Sequence, residues 1–116
     1  MALFSFNEEE HGYTAEINKV RFICEEMQED YEDTAREIAE VYEEKLPELA
    51  EFILAEVEDI FGDITAEDVM DSLGVPEIDL DRETVTYLEH KLDDIHIIEV
   101  EYEGILDGLL GVSVDG

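Results

Sequence analysis

The sequence predicts an α+β fold in which an antiparallel sheet packs against a central, strongly acidic helical hairpin. Apolar residues alternate with polar ones before residue 25 and after residue 77, as in strands that bury one face. Between these segments, from residue 28 to residue 62, apolar residues recur every three or four positions, as in helices that bury one stripe. The order of strands, helices and strands is typical of α+β domains.

The composition predicts one folded domain with an extreme negative charge. The 116 residues include 35 Asp and Glu but 6 Lys and Arg, which gives a formal net charge of −29. Such a charge is often found in disordered chains, but 45% of the residues are hydrophobic and they recur at regular intervals. We therefore expect residues 1–116 to form a single domain around one core.

The N-terminal strands are expected to form a hairpin. Residues 3–6 are a short apolar run that suits an edge strand, and the polar residues 7–12 predict a turn. Residues 13–25 then alternate on either side of Asn18-Lys19. This dipeptide can connect two strands directly, because Asn tolerates the positive φ that such tight turns require.

The central segment, residues 28–62, is expected to form two acidic helices that meet at Pro47. Proline lacks a backbone N–H, so it starts a new helix more readily than it continues one; a single kinked helix is the alternative. Gly62 is a natural helix end. The predicted buried stripes comprise Tyr31, Thr34, Ala35, Ile38, Val41, Tyr42 and Leu46 before the proline, and Leu49, Phe52, Ile53, Val57, Ile60 and Phe61 after it.

A short helix and a C-terminal sheet complete the prediction. Thr65 and Asp68 have the spacing of a capping box, which predicts a short helix that buries Val69 and ends near Gly74. Alternation in residues 78–88 and 96–114 then predicts a three-stranded antiparallel meander.

No stretch has the spacing of a catalytic or metal-binding motif, so we expect no enzyme, no metal and no cofactor. The strongest alternative is a small metal-binding protein or enzyme that uses His90 and His96, which flank Asp93-Asp94. However, Asp93-Asp94 also marks a turn, and residues that flank a turn can face opposite ways. Residues 79–83 resemble a calcium loop only in part, because the required Gly and bidentate Glu are missing.

The charge and the cysteine count restrict location and partners. A single cysteine, Cys24, cannot form an internal disulfide and is typical of a reducing compartment. Residues 1–6 lack the basic region of a secretory signal, and no window is apolar enough to span a membrane. We therefore expect a cytoplasmic protein. An acidic surface also disfavours direct binding to nucleic acid or to anionic membranes.

Loose apolar patterns recur through the C-terminal third: Leu73-Gly74-Val75-Pro76, the alternating strands through Val85 and Tyr87 and from His96 to Tyr102, and the closing Gly-Val-Ser-Val-Asp-Gly of residues 111–116. In these patterns the chain resembles a group of small acidic bacterial domains of unknown function. The resemblance implies an N-terminal hairpin, a helical centre and a C-terminal meander over essentially the whole chain. Some relatives of that group are candidate immunity proteins of bacterial toxin systems.

We therefore predict a non-enzymatic binding module that acts on a basic protein, as an immunity-type inhibitor or a nucleic-acid mimic. Complementary charge raises association rates and supplies specificity. The predicted partner-binding residues are Glu37, Glu40, Glu43, Glu44 and Glu51. In the alternative, the charge serves only solubility or adaptation to salt. The sequence leaves the oligomeric state open. A dimer that forms through a sheet edge or through residues 105–110 is one of the alternatives.

Overall fold

A computed structural model describes residues 3–9, 11–62, 64–87 and 97–115 of the chain. The described part is α+β, as predicted, with two helices and a seven-stranded sheet. In chain order the elements are β1 (Ser5–Asn7), β2 (Gly12–Ile17), β3 (Val20–Cys24), α1 (Tyr31–Phe61), α2 (Ala66–Ser72), β4 (Glu77–Asp79), β5 (Thr84–Tyr87), β6 (Ile97–Glu103) and β7 (Gly108–Asp115).

The seven strands pair in chain order, from β1 at one edge of the sheet to β7 at the other. The predicted N-terminal hairpin is confirmed as β2 and β3, and its connection is Asn18-Lys19, with φ of 50° and 68°. Positive φ at both residues is the geometry of the tight turns that match the twist of a hairpin. The sheet is not wholly antiparallel, however, because β3 and β4 run parallel.

The C-terminal meander has four strands, so the prediction of three is wrong. Strands β4, β5, β6 and β7 pair consecutively and antiparallel. The additional strand, β4, has three residues, and of these Ile78 alone is fully buried. So short a run carries little alternation of its own, and its place is set by its pairing with β3, which is distant in sequence.

The predicted pair of helices meeting at Pro47 is also wrong: α1 is one helix of 31 residues that contains this proline. Pro47 lies on the exposed side of the helix. The carbonyl of Glu43, which loses its N–H partner there, lies near that side, where water can bind it. Gly62 ends the helix with φ of 79°, as predicted.

The buried stripe of α1 explains why the helix continues. Its fully buried and nearly buried members are Ala35, Ile38, Ala39, Tyr42, Leu49, Ala50, Ile53 and Val57. They recur every three or four residues, except for the gap between Tyr42 and Leu49, which equals two turns, so both halves face the same core. Four of these side chains are large and fully buried: Ile38, Leu49, Ile53 and Val57. Their burial stabilises the fold by about 1.5–3 kcal/mol each, which together exceeds the cost of about 3 kcal/mol for an internal proline.

Helix α2 begins with the predicted capping box. The Thr65 N–H donates to Asp68 Oδ2 over 3.0 Å, and the Asp68 N–H donates to Thr65 Oγ1 over 3.1 Å. The helix is only seven residues long and buries Val69. It lies against α1 and leads the chain to β4.

The core lies between the helices and one face of the sheet. In register, the buried residues Ala15, Phe22, Ile78, Val85 and Val100 form one apolar row across strands β2 to β6. Helix α1 passes over this face and contacts both β2 and β7. It is about 46 Å long at ~1.5 Å per residue, which equals the longest extent of the molecule, 46 Å.

A pair of buried tyrosines connects α1 to the sheet. The hydroxyl oxygens of Tyr42 on α1 and Tyr87 on β5 lie 2.5 Å apart and share a hydrogen bond. Tyr42 is 8% exposed and Tyr87 is fully buried. Each hydroxyl therefore depends on the other for the bond that water would otherwise supply.

We expect the Tyr42→Phe variant to unfold with a free energy about 1–2 kcal/mol lower than the wild type, because it leaves the Tyr87 hydroxyl buried without a partner. The Tyr42→Phe/Tyr87→Phe double variant should lose less than the sum of the two single changes, since no orphaned hydroxyl remains. Urea denaturation of the four proteins, analysed as a double-mutant cycle, measures the coupling. Strictly additive losses would show that the two hydroxyls do not interact.

Candidate functional site

Helix α1 carries the five predicted partner-binding residues, and all are exposed: Glu37, Glu40, Glu43, Glu44 and Glu51. The exposed Glu48 lies among them. Residues 37, 40, 44, 48 and 51 follow one another at intervals of three or four, opposite the buried stripe, so they form a single row along the helix. The row is about 21 Å long at ~1.5 Å per residue. We call Glu37, Glu40, Glu44, Glu48 and Glu51 the carboxylate row.

The carboxylate row forms no ion pair in the described residues, although Lys45 lies among its members and lines a pocket with Glu44, Glu48 and Glu51. The ion pair nearest to it on α1 joins Arg36 Nη1 to Asp33 Oδ1 over 3.7 Å, and both side chains are largely exposed. So long and exposed a contact contributes little. No ion pair within the described ranges involves a member of the row. Because α1 is a single helix, these unpaired charges are held in one line.

On the outer face of the sheet, unlike along the carboxylate row, arginines form ion pairs with nearby carboxylates. Arg21 Nη1 lies 3.0 Å from Glu77 Oε2, across the parallel junction of β3 and β4. Arg82 Nη1 lies 3.3 Å from Glu99 Oε1 on β6. Two of the six cations thus offset carboxylates of the sheet, whereas the outer face of α1 keeps its charge.

A cleft lies beside the carboxylate row, and no sequence pattern predicted it. Its volume is about 440 Å³, and it separates the β2–β3 turn from α1. Glu40, Glu43 and Tyr42 line one side, and Asn18 and Lys19 line the other. The turn and the helix are far apart in sequence, so their approach depends on tertiary packing. The cleft gives two of the predicted glutamates a concave setting.

A second cluster of carboxylates lies where β3 and β4 end, and it includes Asp79 and Asp81 of the segment that resembles a calcium loop only in part. Asp81 accepts hydrogen bonds through Oδ2 from the Glu25 N–H, over 2.6 Å, and through Oδ1 from the Tyr31 hydroxyl, over 2.8 Å. Asp79 Oδ1 accepts from the N–H groups of Asp81 and Arg82, over 3.0 and 3.1 Å. These bonds tie the start of α1 to the end of the parallel pair. The two aspartates therefore serve the fold.

Burial keeps the thiol of Cys24 protonated, and the same aspartates add to this effect. Cys24 is 4% exposed, and its thiol lies 3.5 Å from the sulfur of Met27. Burial, together with the negative charges of Asp81 and Asp79, raises the pKa of Cys24 to about 11. A thiol must lose its proton to act as a nucleophile or ligand, so this one is a core residue.

The alternative metal site cannot be placed, because His90, His96 and Asp93-Asp94 lie outside the described residues. His11, the remaining histidine, is exposed in the turn between β1 and β2. Within the ranges that the structure describes, no group of three or more His, Cys, Asp or Glu side chains is arranged to hold a metal ion.

Comparison of the chain with protein-family models, with curated proteins and with solved structures finds no match. Among the described residues, no helix combines the length and the apolar character needed to cross a membrane. The function must therefore be argued from the surface itself.

Proposed function

We propose that this protein is a non-enzymatic binding module that recognises a basic protein through the outer face of α1. One observation carries the proposal: the carboxylate row extends for about 21 Å on one helix, and no member of it forms an ion pair in the described residues. A rigid line of charge raises the rate of association with a basic surface and fixes its register. The cleft between the β2–β3 turn and α1, which Glu40 and Glu43 line, adds a concave surface beside the carboxylate row.

The partner is either a basic toxin or a nucleic-acid-binding protein. The resemblance to small acidic bacterial domains, some of whose relatives are candidate immunity proteins, supports the first. The carboxylate row is weaker support for a nucleic-acid-binding partner. Its charges are spaced about 5 Å apart along the helix axis, which is wider than the ~3.4 Å between phosphates of one DNA strand along the DNA axis. A free thiol is typical of a reducing compartment, so the proposal places the protein in the cytoplasm.

The test compares two variants with the same change in net charge. The row variant carries Glu37→Gln, Glu40→Gln and Glu44→Gln. The control carries Glu8→Gln, Glu9→Gln and Glu16→Gln, which lie exposed on the N-terminal strands and their turn. Each protein is immobilised and used to capture proteins from a bacterial lysate at low salt, and captured proteins are identified by mass spectrometry.

We expect the wild type and the control to retain a basic partner that the row variant loses. Calorimetric titration with that partner should show affinity reduced at least 30-fold by the row variant, equivalent to about 2 kcal/mol, and by less than threefold in the control. Equal losses in both variants would show that only net charge matters. That result would refute the proposal and favour a role in solubility or salt adaptation.

A further inference from the structure

Strand β7 forms one edge of the sheet and is unusual for its length. It has eight residues, whereas β1 at the opposite edge has three. It pairs with β6 on one side, and no strand in the described part of the chain pairs with its other side. The backbone N–H and C=O groups along that free side can pair with another strand.

The edge also carries no charge between its two ends. Between Asp107 and Asp115 the chain contains no ionisable side chain, although acids make up 35 of its 116 residues. Natural edge strands usually carry charged side chains that prevent pairing between molecules. The other common protection, a β-bulge, is present in β7 but lies near its start. Tyr102 pairs with Leu109 and Glu101 with Gly111, so Leu110 has no partner across the ladder and is 59% exposed.

Beyond the bulge, residues Gly111 to Asp115 pair regularly with β6. This part of the edge is therefore straight enough to accept a further strand. Gly111 adds to its accessibility, because no atom lies within 4 Å of the position that a Cβ would occupy there.

We infer that β7 is the contact surface for a second copy of this chain. Two β7 strands would pair antiparallel about a two-fold axis and join the sheets into one of fourteen strands. Charge decides the occupant. Two molecules of net charge −29 repel one another over most of their surfaces, and an uncharged edge lets them meet without opposing carboxylates. The basic partner of the proposed function would gain nothing from this edge, because no carboxylate lies between its ends.

The dimer has a salt dependence opposite to that of the proposed function. Salt screens the repulsion between the two acidic bodies, since the screening length falls from about 10 Å at ~0.1 M to about 3 Å at ~1 M. Self-association should therefore strengthen with salt, whereas capture of a basic partner should weaken. The two proposals rest on different surfaces, so either can fail without the other.

Sedimentation velocity of the purified protein tests the inference. We expect a dimer to form as the concentration rises towards roughly 300 µM, and at lower concentration in ~1 M than in ~0.1 M sodium chloride. The Leu110→Glu variant places a charge at the edge and should raise the dissociation constant at least tenfold. Circular dichroism checks that this variant, changed at an exposed position, remains folded.

The matched control is Phe6→Glu, which makes the same change at the opposite edge, where Phe6 is also 59% exposed. This variant should dimerise like the wild type. A wild type that stays monomeric at about 300 µM in ~1 M salt would overturn the inference. Equal loss of association in both variants would also overturn it, because head-to-tail pairing of β7 with β1 would then be the contact.

Discussion

Replacing Pro47 with alanine is expected to raise the free energy of unfolding by about 2 kcal/mol. An internal proline costs a helix about 3 kcal/mol, through the lost hydrogen bond and the clash of its ring with the preceding turn. Alanine restores the N–H that can donate to the carbonyl of Glu43 in the middle of α1. The greater freedom of the unfolded chain returns about 0.4–1 kcal/mol of that gain. Urea denaturation at neutral pH measures the difference.

The second proline of the chain provides the control. Pro76 is buried in the extended segment before β4, and its carbonyl accepts a hydrogen bond from the Arg21 N–H over 3.0 Å. Pro76→Ala should lower the free energy of unfolding by about 1 kcal/mol, through lost packing and greater freedom of the unfolded chain. If Pro47→Ala is destabilising as well, the chain changes direction at Pro47 and α1 is not one helix.

Three parts of the predicted fold are wrong, and each depends on contacts that are distant in sequence. The pair of helices meeting at Pro47 is the single helix α1. The sheet is not wholly antiparallel, because β4 runs parallel to β3, and the meander that β4 begins has four strands, not three. The connection from β3 to β4 contains α1 and α2, and it returns the chain to the end of the sheet at which β3 began.

Local patterns were sufficient for several elements and insufficient at Pro47. Alternation predicted the β2–β3 hairpin and its Asn18-Lys19 turn, and the capping residues predicted the start of α2. At Pro47, by contrast, local propensity opposed the in-phase burial of Tyr42 and Leu49 on either side of it. The energy of that burial depends on the sheet beneath, which no local pattern contains.

On the surface, too, the sequence predicted local features but not contacts between distant residues. The exposure of all five predicted glutamates follows from the helical period, because the apolar stripe fixes which side faces outward. The cleft between Lys19 and Glu40, and the bonds from Asp81 to Tyr31 and to the Glu25 backbone, join residues that are distant in sequence. Carboxylates are so frequent in this chain that the sequence could not distinguish those that serve the fold from those left free.

Alkaline pH is expected to unfold the protein, because burial raises the pKa of its core phenols. Burial raises the pKa of Tyr42 from its usual value of 10.0 to about 12, and it raises the pKa of Tyr87 and Tyr102 as well. The folded protein therefore holds these protons more tightly than the unfolded chain does. Their contribution to stability is fully present below pH 10 and is lost as the pH rises through the folded pKa values.

For Tyr42 alone the loss between pH 10 and pH 12 is about 3 kcal/mol, at ~1.36 kcal/mol per pH unit. Tyr87 and Tyr102 add to it, so the total is a large part of the ~5–15 kcal/mol that stabilises a typical domain. Urea denaturation at a series of pH values, with tyrosinate absorbance recorded in parallel, measures this loss. The Tyr42→Phe/Tyr87→Phe variant retains Tyr102 but lacks the buried pair, so its stability should fall less steeply over the same interval. Wild-type stability that stays constant up to pH 12 would mean that these phenols are not held in a dry core, and the contact between α1 and β5 would then be wrong.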